Sequence, residues 1–364
     1  MEKIKNSFGG VIMGILLLIG GTILLWWNEG NNVKNIKSIN EVEKQVISVA
    51  SDKVENKNDG KLVLVSGSLV TADEKVADTD FGFGVKTPVF KRSVEIYEWK
   101  EDSHTDDDNK TTYTYSTVWE DHLIDSSSFH EGTHTNPTSV PYDSTSFYAD
   151  NVSVGAFGLS NDQKKTLNTK ANYQVETDAE LPEGFAIQSG YVTNAEDINK
   201  PAVGDIRITW EYNNWEKATV LAIQKGDSFI DFVSKDGRKI NRVFEGEKTI
   251  NEVLETMRSE DKAMKWIFRG IGALLIIIGY ISILNPLSTL ASFVPVLGGI
   301  VGGVLNLIAF LVGLVHSLLI IIIAWFRYRP ILAIALIVVV VLAIVGIVSL
   351  VKKNKKAKPV EKEA

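Results

Sequence analysis

Uncharged apolar runs alternate with long mixed stretches and divide the chain. Phe8 to Trp27 carries no formal charge, follows Lys3 and Lys5, and ends in the pair Trp26-Trp27. Trp266 to Leu284 holds one charge, Arg269; Val296 to Phe326 and Ile331 to Val351 hold none. About 20 apolar residues in a helix cross a hydrocarbon layer of about 30 Å, so four transmembrane helices are predicted, at 8–27, 266–284, 296–326 and 331–351. The third is longer than a perpendicular crossing needs, which predicts tilt, a kink or an interfacial first turn. Pro286, Pro295 and Pro330 fall between the runs, where a missing N–H breaks no helix. The first run has the position of a signal peptide, but it ends in two tryptophans and Asn28-Glu29-Gly30 rather than a small-residue cleavage site, and it reads as a retained anchor.

Between the first and second runs the period changes. Asn31 to Ala50 has helical spacing, with Ser38-Ile39-Asn40-Glu41 as an internal capping box. Strand patterns follow at Lys61–Val70, with Gly67 as a bulge, and at Val89–Lys100, Thr112–Trp119, Phe185–Val192, Ile206–Tyr212, Ala218–Gln224 and Phe229–Val233. Glu101 to Lys110 has the composition of a hairpin tip. Thr249-Ile250-Asn251-Glu252 is a second capping box, opening a helix that runs into the second span. The fold class is therefore a membrane α-helical protein, one helix N-terminal and three C-terminal, with an inserted β-rich α+β extracytoplasmic domain at 28–265.

Charge orients this arrangement. Four spans put both termini on one side, and Lys352, Lys353, Lys355, Lys356 and Lys358 mark that side as cytoplasmic. Residues 1–7 and 352–364 are then cytoplasmic, 285–295 is a short cytoplasmic or interfacial linker, and 327–330 is an outer turn. Residues 31–262 hold 41 acidic against 26 basic side chains, a net of −15, while the remainder is at +8 within an overall −7. A domain at −15 repels nucleic acid and anionic head groups, which excludes nucleic acid as a partner of that domain. The chain has no cysteine, which removes disulfides and thiolate metal sites.

Candidate chemistry is sparse. His130-Glu131-Gly132-Thr133-His134 spells a zinc-protease motif, whose mechanism needs both imidazoles on one helix face; the flanking Ser126-Ser127-Ser128 and Asn136-Pro137 predict a loop instead. His104 with Asp106, Asp107 and Asp108 lacks the spacing of a calcium loop and reads as a solvated tip. No metal or other cofactor is expected. His316 and Asn306 lie inside the third span, where His316 either marks a site or bonds a neighbouring helix. Arg327 and Arg329, with Trp26 and Trp27, are candidates for the lipid interface. Gly298-x-x-x-Gly302, Gly299-x-x-x-Gly303 and Gly10-x-x-x-Gly14 are candidates for close helix packing, within the bundle or between copies.

Several words occur together in one order: Asn28-Glu29-Gly30, Gly60-Lys61-Leu62-Val63, Lys91 to Trp99 (KRSVEIYEW), Tyr113 to Trp119 (YTYSTVW), Asn136-Pro137, Val203-Gly204-Asp205-Ile206-Arg207, Gln224-Lys225-Gly226-Asp227 and Arg327-Tyr328-Arg329-Pro330. In these words and in its one-then-three span layout the chain resembles the transmembrane protein 43 family, also called LUMA. The resemblance implies a four-span protein with a large lumenal or extracytoplasmic domain and no established enzymatic activity. It also implies a scaffold that self-associates and meets other membrane proteins. The Lys- and Asn-rich, cysteine-free composition looks bacterial, which points to the cell membrane, or to the endoplasmic reticulum or inner nuclear membrane in a eukaryote.

The expected function is that of a non-enzymatic membrane scaffold in contact with the bilayer, with homo-oligomerisation implied by the resemblance. The alternatives are an envelope sensor or lipid-binding module, and a zinc-dependent hydrolase working through His130, Glu131 and His134.

Overall fold

In the computed structural model the structure describes residues 2–106, 110–291, 297–331, 333, 334 and 338, with side chains described outside 2–8 and 288–301. The chain divides into two compact units, Glu41–Val253, and Met1–Asn40 together with Leu254–Ala364.

The helical unit is built from α1 (Glu2–Gln45), α2 (Ile250–Ala291) and α3 (Leu297–Tyr328). All three contain stretches long and apolar enough to cross a bilayer. The fourth predicted span, 331–351, and the lysine-rich tail fall almost wholly outside the described residues. The first span continues as helix to Gln45, so Ser38 stands in mid-helix and not at a cap. Its hydroxyl donates back to the Lys34 carbonyl at 2.9 Å, because the N–H groups a cap would satisfy are already taken by the helix ladder. The helical pattern predicted through Ala50 stops earlier, as Ile47–Ala50 pairs in parallel with a strand beginning at Leu62. At Thr249 the expected box is present: Glu252 accepts the Thr249 N–H at 2.7 Å, and the Glu252 N–H reaches the Thr249 hydroxyl at 3.3 Å. From there α2 runs unbroken through Pro286 to Ala291, where the sequence predicts a linker from 285. A proline costs a helix one hydrogen bond, whereas ending the helix in an apolar medium exposes several backbone groups.

The other unit rests on five long strands: β1 (Leu62–Thr71), β2 (Val89–Thr105), β3 (Thr111–Glu120), β4 (Ile206–Tyr212) and β5 (Lys217–Lys225). One seven-stranded sheet has the central antiparallel pair β1 and β5, with Val65 opposite Val220. The other joins β4, β2 and β3. The 17-residue β2 serves two partners: Phe90 to Ile96 pair with β4, and Ile96 to Thr105 with β3. The hairpin strands therefore continue to Thr105 and from Thr111, so the first half of the segment read as a polar tip, Glu101 to Thr105, is ladder. Gly67 sits in regular register opposite Ala218, not in a bulge. It is needed because Ser51 crosses so closely that a Cβ would collide with its side chain. Phe185–Val192 resolves into two short strands, Ala186–Gln188 and Tyr191–Thr193, turning at Ser189 and Gly190, both with positive φ.

Alternate residues of each sheet meet in one core. Val63, Val65, Val220 and Ala222 come from the first sheet; Phe90, Val94, Ile96, Ile206, Ile208 and Trp210 come from the second. Arg92 lies in the same inward row. Its Nη1 donates to both oxygens of Asp78 at 2.9 Å and to Asp80 at 2.8 Å, while the Trp210 indole N–H donates to Asp78 at 2.8 Å. The guanidinium carbon sits 5.5 Å from the ring centres of both Phe81 and Tyr142. Removing one member of a buried ion pair strands the other, so Arg92→Ala is expected to lose about 3–5 kcal/mol. Denaturant titration of the full chain in nanodiscs reads this loss, and an apolar pair at Arg92 and Asp78 should restore most of it; a single-variant loss under about 1 kcal/mol would contradict the assignment.

Candidate functional site

The side chains with most chemical potential in the helical unit gather in two layers. The deeper layer is centred on His316 of α3. Tyr280 of α2 approaches its Nδ1 at 3.1 Å, and Thr22 of α1 approaches its Nε2 at 3.4 Å. Both ring nitrogens are thus engaged, and one imidazole links three helices. Seven residues separate Thr22 from Glu29, about 10 Å along a helix, and the second layer lies at that level.

There Glu29, with only 1% of its side chain exposed, accepts from Arg269 Nε and Nη2 at 2.7 Å on one oxygen. Its other oxygen accepts from the Trp325 indole N–H at 3.0 Å. Neighbouring positions on α1 extend the layer: Asn28 donates to the Lys265 carbonyl at 3.1 Å, and Asn32 accepts from Arg329. Gly30 faces the Tyr328 ring so closely that a Cβ would lie 2.7 Å from it. Two words from opposite ends of the sequence, Asn28-Glu29-Gly30 and Tyr328-Arg329, therefore meet.

The aromatic and basic candidates divide between partners. Trp26 packs on Tyr328 with ring centres 5.7 Å apart, Trp27 sets its ring edge-on to Phe268 at 5.7 Å, and Arg327 is exposed. Sequence reading isolated Arg269 as the one charge of its span but did not pair it with Glu29. The signal available was the coincidence of one acid and one base at matching ends of two apolar runs.

The helices approach closely along a glycine seam. A Cβ on Gly14 would lie 2.7 Å from the Gly279 carbonyl oxygen, and one on Gly21 would lie 2.8 Å from that of Gly272. The two contacts run in opposite directions along α1 and α2, seven residues apart on each, as an antiparallel pair requires. Gly10 is looser, 3.9 Å from Ser282, and a Cβ on Gly303 would meet nothing within 4 Å among the described residues. The side chains at 298 and 299 are outside the described set.

In the β-rich unit the protease-like motif lies in a loop. His130 stacks on Tyr113 at 4.1 Å and 4°, and His134 stacks on Tyr115 at 4.0 Å and 3°. Tyr115 donates to Glu101 at 2.5 Å, and Glu101 also accepts the His130 N–H at 2.6 Å. Asn136 completes the fastening by bonding both the N–H and the carbonyl of Trp99. His104 ends on the exposed part of β2, and Asp107 and Asp108 lie outside the described residues.

The bond from Tyr115, together with the His130 N–H and imidazole charge, holds the Glu101 carboxyl below its ordinary value of 4.5. Desolvation and the bond to Glu101 push the Tyr115 phenol up to about 12. A depressed carboxyl contributes fully above its unfolded value and loses that contribution as pH falls through its folded one. Acidification below 4.5 is therefore expected to release the 129–136 loop, seen as loss of the ring-current shifts of His130 and His134. Tyr115→Phe should bring that release to higher pH, and shifts unchanged through the acid range would contradict the fastening. In the helical unit, Glu29→Ala strands Arg269 and is expected to lower stability by about 3 kcal/mol or more. Thermal unfolding in nanodiscs measures it, with recovery in Glu29→Ala/Arg269→Leu.

A family model described as Transmembrane protein 43 matches residues 96–330. Curated relatives extend the likeness over 92% of this chain: Transmembrane protein 43 of Pongo abelii is 27% identical over 354 residues, covering 88% of that protein. The Drosophila melanogaster homolog is 27% identical over 359 residues, covering 93% of it, and the Homo sapiens protein is 27% identical over 354 residues, covering 88%. No solved structure matches. With more than half of its length under the family model, the chain belongs to the transmembrane protein 43 family.

Proposed function

We propose that this chain is a non-enzymatic integral membrane scaffold that organises membrane or envelope protein assemblies and associates with its own copies. The reading is supported above all by how its polar side chains are used. Glu29, Arg269, Trp325 and His316 bind one another across α1, α2 and α3, and the two histidines of the protease-like motif are stacked on tyrosines. These groups are committed to holding helices and loops together, as the parts of a scaffold are. On this reading both termini are cytoplasmic, the β-rich unit is extracytoplasmic or lumenal, Arg327 faces lipid phosphate, and other membrane proteins are the partners.

The mass of the full chain in nanodiscs, with lipids analysed from the same sample, tests the proposal. A defined oligomer is expected. A monomer carrying stoichiometric bound lipid would sink the scaffold reading in favour of a sensor or lipid-binding module.

A further inference from the structure

We propose that Lys265 and Arg329, gathered beside Glu29 in the helical unit, bind the phosphate of one anionic phospholipid. The inference holds for a single chain or an oligomer and so does not depend on the scaffold reading.

Charge at this level of the helices does not balance. Lys265 feels the like charges of Arg269, Arg329 and Lys262, and the opposite charge of Glu29 alone. Glu29 is already committed, one oxygen to Arg269 Nε and Nη2 at 2.7 Å and the other to the Trp325 indole at 3.0 Å. Asp261, about one turn before Lys265 on α2, accepts from Asn35 at 3.2 Å. Among the described residues Lys265 Nζ has no acceptor and meets only the Trp266 ring, 6.0 Å away. Arg329 gives Nη2 to Asn32 and has no acceptor for its other N–H groups among those residues. Both cations are half-buried. A cation partly withdrawn from water without a counter-charge is costly, so two of them in one place call for an anion from outside the chain.

The first helix sets them side by side. Asn28 and Asn32 are four residues apart on α1 and share a face. Asn28 holds the Lys265 carbonyl at 3.1 Å, and Asn32 holds the Arg329 guanidinium. The depth is that of a lipid head group. Trp27 and Trp266, next in sequence to Asn28 and Lys265, are 50% and 59% exposed, and Trp26 packs on Tyr328 beside Arg329. Such rings concentrate where hydrocarbon gives way to phosphate.

The chemistry fits a phosphodiester, whose oxygens accept from a guanidinium fork and from an ammonium together. A choline or ethanolamine head group would add a cation where two are already in excess, so a lipid of net negative charge is favoured. Lys265, Arg269 and Arg329 all lie outside the acidic segment 31–262, whose charge repels such lipids.

The test places the full chain in nanodiscs of phosphatidylcholine with a minor share of phosphatidylglycerol and counts the lipids that stay bound by native mass spectrometry. Phosphatidylglycerol is expected to be retained in excess of its share in the bilayer. Lys265→Gln leaves the main-chain bond to Asn28 in place, and it and Arg329→Gln should each lower that excess about fivefold, the worth of one basic side chain at an anionic surface. Lys265→Arg should keep it. Arg327→Gln, an exposed position two residues from Arg329, should leave it unchanged, with thermal unfolding showing that all variants fold. No excess in the parent chain, or full excess in Lys265→Gln, overturns the proposal. So does an equal loss in Arg327→Gln, which would leave only general attraction at the interface, or displacement of the lipid by inorganic phosphate, which would assign the place to a soluble anion.

Discussion

A carboxylate removed from water must find charge and N–H donors or it does not stay there, and in the helical unit that constraint falls on Glu29. Three N–H groups from two other helices converge on it, one helix supplying Arg269 and the other Trp325. Once α1, α2 and α3 are held at that level, the positions around it follow from helical geometry. Asn28 and Asn32 flank Glu29 on α1, one and three residues away; Asn28 bonds Lys265 of α2, and Asn32 bonds Arg329 just past the end of α3. Apolar contact cannot choose between helix pairings in a medium as apolar as the helices themselves, so polar pairs and close backbone approach set the arrangement.

The β-rich unit obeys the same rule in a different solvent. Its sheets share an apolar core, yet Arg92 lies in that core's inward row beside Phe90 and Val94. It is tolerated because Asp78, Asp80 and the rings of Phe81, Tyr142 and Phe147 surround it. Such a cluster stabilises less than an apolar replacement of equal shape could, but it admits only one arrangement of the segments that supply it. Residues 78–81 are thereby bound to β2 and to Trp210 of β4.

How much of this could be read from the residues varied with the physics involved. Ile206–Tyr212 matched its strand residue for residue, since its alternation reports directly on a sheet with one buried face. The Thr249 cap was legible because the bonds are local. Gly67 and Ser38 were misread for a common reason: each residue type has several structural uses, and the use here is fixed by Ser51 and by the surrounding helix. Pro286 was read by its effect in water, not in an apolar layer. The Glu29 layer was invisible to any local pattern, as its members stand up to 297 positions apart. Glu98, in the strand read at Val89–Lys100, is buried and accepts the Ile124 N–H, and nothing nearby in sequence foretells that closure.

The glycines of the helical unit differ in what stands against them. At Gly14 and Gly21 the nearest obstacle to a side chain is a main-chain carbonyl, which belongs to position 279 or 272 whatever residue is placed there. At Gly30 the obstacle is the Tyr328 ring, which a smaller residue would withdraw. A larger residue at 30 can therefore be accommodated by a smaller one at 328. The Gly14 and Gly21 contacts have no such escape by substitution, and losing one obliges the two helices to move apart.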